Sequence, residues 1–262
     1  MRTVEQLESG AIKEYIKCVL VSPPGEGKTH LAATFPKCVF LQTCPGEIDT
    51  VLNKPELKQN LVGWEEFILN AEETSKAIVD RLHKFLIDEI RPGIASGEIE
   101  TVVVDNLTYL AELFWTKIGE HDRHLYKGKG GLFDTRGAYG GLKDMLLKFF
   151  LRELITLKCN VVINAHLMLE DDDTLEKRPD KTVPYNAAVL GGFRDKLPGM
   201  LSYVFYLEKS EAMMSNGKMG YKYLARTNKS MGKAARTRLE LPTIIENVSY
   251  DTLLAAITEA RK

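Results

Sequence analysis

The feature that most constrains this chain is an apolar run at residues 16–21 leading directly into Ser22-Pro23-Pro24-Gly25-Glu26-Gly27-Lys28-Thr29. A strand that passes through a glycine-bearing turn into a helix builds an anion site out of backbone. Gly25 and Gly27 let successive N–H groups curl inward as a nest. A helix predicted to start near Lys28 and continue through residues 30–34 adds the positive end of its dipole. The spacing puts Lys28 on the β- and γ-phosphates of a nucleoside triphosphate and the Thr29 hydroxyl on Mg²⁺. Ser22 stands where the usual pattern has glycine, and a small residue still fits the turn. Ser22, Pro24, Gly25, Glu26, Gly27, Lys28, Thr29 and His30 are therefore the expected nucleotide-binding set, with ATP and Mg²⁺ as cofactors.

Other apolar runs have strand character: residues 38–41, 101–104, 160–164, 203–207 and 221–225. Several lack polar alternation, as strands covered on both faces do. Helical spacing of apolar positions predicts helices over 64–90, ending before Pro92-Gly93, and over 142–157. Strands alternating with helices imply a mainly parallel, doubly wound α/β sheet. The later strands crowd together around turns such as Asn216-Gly217, so an antiparallel C-terminal extension is expected, followed by a helix over 251–261. The whole chain, 1–262, reads as one domain with a core of about 12–240.

Two segments are long enough to be functional loops. Residues 120–141 hold six glycines between Lys127 and Gly141, interleaved with Lys127, Lys129, Arg136, Phe133 and Tyr139. Mobile backbone, cations and aromatics together suit a single-strand nucleic-acid contact, although composition alone fits a flexible surface loop slightly better. Residues 167–198 follow a strand end and contain the acidic run 170–173.

Composition excludes some classes. Net charge is −1, so the molecule as a whole carries no polyanion signature, yet residues 209–238 hold eight Lys/Arg against one acid, Glu211. That strip suits a polyanion, a neighbouring subunit's nucleotide, or a lysine-protected edge hairpin. No apolar run nears the ~20 residues of a membrane span. The N-terminal stretch lacks the apolar centre of a signal peptide, so a cytoplasmic location without membrane contact is expected. The four cysteines show no C-x-x-C pairing, which favours reduced, mostly buried thiols.

Thr101-Val102-Val103-Val104-Asp105 reads as a buried strand presenting a carboxylate to the Mg²⁺ water shell. Asn106 follows it where many ring-forming motor ATPases carry glutamate. Val161-Val162-Ile163-Asn164-Ala165-His166 is a third strand ending in polar residues, and His166 or Asn164 would stand near the γ-phosphate side of the crevice. His121 and His124 have helical spacing but no third ligand nearby, and read as surface residues.

In this order, Pro-Pro-Gly-Glu-Gly-Lys-Thr-His-Leu-Ala, Val-Val-Val-Asp-Asn and Val-Ile-Asn-Ala-His resemble the RecA-like P-loop ATPases encoded by bacteriophages. These phage nucleotide-binding AAA-type domains include the Sak-type single-strand annealing ATPases. Tyr139-Gly140 opening a helix also fits, and the resemblance spans roughly residues 16–238. It implies a RecA-like ATPase acting on single-stranded DNA in phage recombination or replication, as a ring or filament. It further implies an acidic residue after the second strand, where this chain has Gln42 and Cys44. Glu47 is the nearest carboxylate and the candidate general base, with Lys28, Asp105 and His166 completing the catalytic set. Relatives take a cation from the adjacent subunit, a role for which Arg226, Lys229 and Lys233 are candidates. Two other readings stand beside this one: a nucleotide-gated binding module with negligible turnover, and a small-molecule kinase, disfavoured because no Arg-rich lid follows Asp105.

Overall fold

The computed structural model describes residues 14–169, 185–187, 193, 196–213, 219–228 and 235–261. Its centre is a ten-stranded sheet among the described residues. β1 (Lys17–Ser22), β2 (Cys38–Gln42), β3 (Leu61–Glu66), β4 (Thr101–Asp105) and β5 (Asn160–Leu169) lie, with β7 (Tyr203–Met213), in the order β7-β1-β5-β4-β2-β3, all parallel. β6 (Tyr185–Ala187) pairs antiparallel with β5. β8 (Met219–Arg226) pairs antiparallel with β7, β9 (Arg236–Thr237) with β7, and β10 (Ile244–Glu246) with β8. The fold is α/β with a mostly parallel sheet and an antiparallel flank. The turn at Asn216-Gly217 lies outside the described residues, although the register Met213↔Met219 brings the two strands together on either side of it.

Alternate residues of the central strands feed two cores, which is why these runs are apolar without a break. On one face Val19, Val21, Val102, Val104, Val161 and Ile163 pack against α4 (Ser75–Phe85), α6 (Leu107–Lys117) and α7 (Thr135–Phe149). On the other, Cys18, Leu20, Phe40, Val103, Val162 and Phe205 meet α1 (Lys28–Ala32), α2 (Asp49–Leu52), α3 (Pro55–Lys58) and the C-terminal helix α9 (Tyr250–Glu259). α5 (Arg91–Ser96) and α8 (Leu197–Met200) are short pieces beside the first core. Three cysteines are buried and Cys44 is half-buried, and none is in a disulfide. Among the described residues no helix is long and apolar enough to cross a membrane.

Three expectations need correction. The span 64–90 is not one helix: Trp64 lies on β3, and α4 begins only at Ser75, where Thr74 caps it by accepting from the Ala77 N–H. β3 lines the edge of the sheet with its side chains alternately half-buried and exposed, a pattern that merges with helical spacing downstream. The helix also does not end before Pro92. It runs on through a π turn, Leu86–Ile90, into α5, whose second residue is Pro92, so the turn that precedes the proline takes up its missing N–H instead of ending the helix. Finally, residues 120–141 are only half a loop. α7 starts at Thr135, because the Asp134 side chain caps it by accepting from Gly137 N–H at 3.0 Å. Gly141 faces the Tyr126 hydroxyl, and a Cβ there would lie 1.9 Å from that oxygen.

Candidate nucleotide-binding site

The loop after β1 is shaped as its glycines require: Gly25 and Gly27 take φ of +82° and +92°, the left-handed region open to glycine. Gly27 is the residue that starts α1, which is only five residues long. So short a helix contributes little dipole, and the anion nest rests on the loop amides rather than on the helix axis. Lys28 is buried and its ammonium donates to Ser22 O at 2.9 Å, Pro23 O at 2.9 Å and Ser22 Oγ at 3.1 Å. All three of its N–H donors are thereby used. Ser22, the departure from glycine, supplies one of those acceptors with its own hydroxyl. Burial pulls the Lys28 pKa down to about 8 against the opposing pull of Asp105, Glu47 and Glu26.

The sheet brings the second half of the site to the loop. Gln42, Asp105 and Asn164 stand in register on β2, β4 and β5, and Ser22 stands opposite His166. These residues are at or near the carboxyl ends of parallel strands, where open α/β sheets place their ligands. Asp105 Oδ2 accepts from Thr29 Oγ1 at 2.8 Å. Two hard oxygen donors side by side suit Mg²⁺, which is held through a few protein oxygens plus phosphates and water. The fit is supported by orphaned polar atoms around them: both side-chain atoms of Gln42 and of Asn164 are buried without a partner among the described residues. No cluster of three His, Cys, Asp or Glu that could hold a metal occurs among the described residues.

Glu47, on the turn after β2, reaches the same place. Its Oε1 accepts from Asn106 Nδ2 at 3.0 Å, and its carboxyl group contacts that of Asp105. Burial first, and the Asp105 carboxylate second, push the Glu47 pKa well above the ordinary range, while Asn106 and Lys28 pull it back. Its other oxygen, Oε2, is buried without a hydrogen-bond partner among the described residues. Asn106 organises this corner. Its Oδ1 caps α6 by accepting from Tyr109 N–H, which leaves Nδ2 to donate to Glu47 and to His166 Nε2 at 3.0 Å. Thr43 Oγ1 both accepts from the Asn106 N–H and donates to its carbonyl. The Asp105–Asn106 peptide bond is cis. His166, an acceptor at Nε2 and held below its usual pKa by burial and by Lys28, is a neutral imidazole. Sequence reasoning read Asn106 as a missing glutamate, whereas in the fold it joins Glu47 to His166.

Other predicted residues are placed as follows. Glu26 Oε2 accepts from the Lys209 N–H at 2.6 Å, which ties the loop to β7. Pro24 and Gly25 are exposed. Arg226 pairs with Glu208 at 2.8 Å in the same chain, so its charge already has a partner, and Lys229 and Lys233 lie outside the described residues. Lys127, Lys129 and Arg136 are exposed around a tight turn in which Lys127 bridges to Phe133. The Arg123 guanidinium lies 5.3 Å over the Phe133 ring, and Trp115 stacks on Tyr139 at 4.5 Å. His124 Nδ1 meets the His121 carbonyl rather than a shared metal position. Most of 167–198 lies outside the described residues.

No curated protein matches the sequence. Among solved structures, an ATP synthase subunit, NeqB from Nanoarcheaum equitans, is similar at 14% identity and TM-score 0.41 over 74% of this chain. The chain spans 45% of that subunit's length. A family model described as an AAA domain matches residues 14–239. With most of its length in that match and a phosphate loop facing Asp105 across the strand ends, the chain belongs to the AAA domain family of P-loop nucleotide-binding proteins.

Proposed function

We propose that this chain is an ATP- and Mg²⁺-dependent ATPase acting on single-stranded DNA, annealing or handling strands in phage recombination or replication. The observation that carries the hydrolytic part is the convergence of Thr29, Asp105 and Glu47 beside the loop. Lys28 exchanges its loop carbonyls for the β- and γ-phosphates. Thr29 and Asp105 would hold Mg²⁺, which when bound would supply charge neutralisation at those phosphates. Mg²⁺ beside Asp105 would favour the ionised form of Glu47, and that carboxylate is suited to accept the proton of the attacking water. Asn106 orients that carboxyl group and couples it to His166 on β5, from which the chain continues into 167–198. The DNA-directed part is supported by the motif resemblance and by the exposed cations Lys127, Lys129 and Arg136 with aromatic neighbours. Assembly as a ring or filament is supported by the site itself, since among the described residues Lys28 is the one cation beside Asp105 and Glu47.

A second reading, a nucleotide-gated binding module with little turnover, is favoured by one observation: Glu47 is buried beside a second carboxyl group, Asp105, a setting that raises its pKa and disfavours a free base. Phosphate release from Mg-ATP with and without single-stranded DNA separates the two. The ATPase reading predicts turnover that Lys28→Ala abolishes. It also predicts DNA binding that Lys127→Ala/Lys129→Ala weakens, with the salt dependence flattened by up to about two units of slope. Nucleotide binding without phosphate release favours the module, and absence of salt-sensitive DNA binding by the parent refutes the DNA role.

A further inference from the structure

The phosphate chemistry leaves unused an aromatic pair beside the loop. Tyr223, on β8, stacks on His30 of α1 with ring centroids 4.5 Å apart and planes at 22°. The same ring presses on the loop: a Cβ on Gly27 would lie 2.5 Å from Tyr223 Cδ1 and Cε1. Both residues are half-buried, so the pair touches solvent as well as the loop.

The order of the sheet gives the site a direction. β8 stands two places from β1 on one side, whereas β5 and β4 follow β1 on the other. Asp105, Glu47 and His166 are all on the β5–β4 side. A triphosphate in the loop has its γ-phosphate near Lys28, Asp105 and Glu47, with the α- and β-phosphates on the loop amides. Its nucleoside end then leaves on the opposite flank, toward β8 and the start of α1. That flank is where Tyr223 and His30 stand.

Resting on the nucleotide reading above, we propose that Tyr223 and His30 form the surface on which the nucleobase stacks. A base adds a third plane to a stack that already exists. The platform is preformed, which limits the ordering cost of binding. The Tyr223 carbonyl accepts from Val248 N–H at 3.0 Å, and Glu26 ties the loop to the paired strand β7. The His30 ring is held in place on its far edge by Lys54. Lys54 Nζ is 3.2 Å from His30 Nδ1 and can only donate, so Nδ1 accepts and the ring proton sits on Nε2. Stacking recognises any base by its π-face and favours the larger purines. The platform therefore predicts a purine preference with weak discrimination between adenine and guanine.

The test compares ATP, CTP and inorganic tripolyphosphate, each with Mg²⁺, binding to the parent, Tyr223→Ala, Tyr223→Phe and His30→Ala by titration calorimetry. The parent should bind ATP about 10-fold or more tightly than tripolyphosphate, with CTP between them. Tyr223→Ala should lose about 10-fold for ATP while tripolyphosphate affinity stays within about two-fold. Tyr223→Phe should behave as the parent, and His30→Ala should repeat the selective loss, which covers the case of a poorly folded Tyr223→Ala. Equal losses for ATP and tripolyphosphate would mean that Tyr223 only braces Gly27, and would overturn the platform. So would a parent that binds tripolyphosphate as tightly as ATP, in which case phosphate binding stands and the platform alone fails. A parent that binds neither removes the nucleotide reading and the platform together.

Discussion

Replacing Gly27 by alanine should destabilise the fold through two separable terms. The first is backbone: Gly27 has φ of +92°, and an L-residue held in the left-handed region costs about 1–2 kcal/mol. The second is steric: the new methyl would lie 2.5 Å from two carbons of the Tyr223 ring, and forced overpacking of this kind costs about 1–3 kcal/mol. Together they predict a loss of about 3 kcal/mol. Gly25→Ala is the control. Its φ is +82°, but nothing lies within 4 Å of the added carbon, so only the backbone term of about 1–2 kcal/mol applies. Removing the obstacle should return the steric term: in a Tyr223→Ala background, Gly27→Ala should cost no more than Gly25→Ala. Urea unfolding of the parent, both single variants and the double variant gives the coupling directly, expected at about 1–3 kcal/mol. Additivity within about 0.5 kcal/mol would show that Tyr223 does not press on the loop and would refute the reasoning.

Acid should act through His30. Its pKa falls from 6.5 to about 4 on folding, so the folded protein declines a proton that the unfolded chain takes up below pH 6.5. Stability from this group is full above 6.5 and is lost as pH falls toward 4, by about 1–2 kcal/mol once solvent screening of a half-buried ring is allowed for. His30→Phe keeps a stacking ring without titrating, so its stability relative to the parent should improve between pH 7 and pH 4, and a pH-independent difference in urea unfolding would contradict this. Assembly is tested by complementation. If the cation from the strip 226–238 completes a neighbour's site, Lys229→Ala should lower turnover while sparing nucleotide binding, and mixing it with Lys28→Ala should restore part of the phosphate release. Concentration-independent turnover by a monomer, with no rescue, would place the whole site within one chain.

What could be read from the chain alone was what is local. The loop 22–29 and the runs ending in Asp105 and His166 are contiguous segments whose residue types already state their geometry, and the structure sets their ends side by side. β3 was hidden because an edge strand with one half-exposed face, Leu61–Glu66, has no continuous apolar run and flows into the next helical pattern. The start of α7 was hidden because Gly137, Gly140 and Gly141 read as loop. A capping Asp134 and the close approach of the Tyr126 hydroxyl account for two of them. The bridge from Glu47 through Asn106 to His166 joins residues of three separate segments, and the Tyr223–His30 stack joins a late strand to the first helix. Contacts of that range leave no local signature. The one available hint was Asn106 itself, an amide following a strand-end carboxylate.

The central claim is that Glu47, held between Asp105 and Asn106, is the base for hydrolysis at this loop. Single-turnover phosphate release from Mg-ATP by Glu47→Gln, with ATP affinity measured on the same samples, tests it most directly. Glutamine keeps the shape and the hydrogen bond from Asn106 but cannot accept the proton. The account predicts unchanged nucleotide affinity with phosphate release slowed by about 10²-fold or more. Release at the parental rate would contradict it and move the search for the base to His166 or another carboxylate.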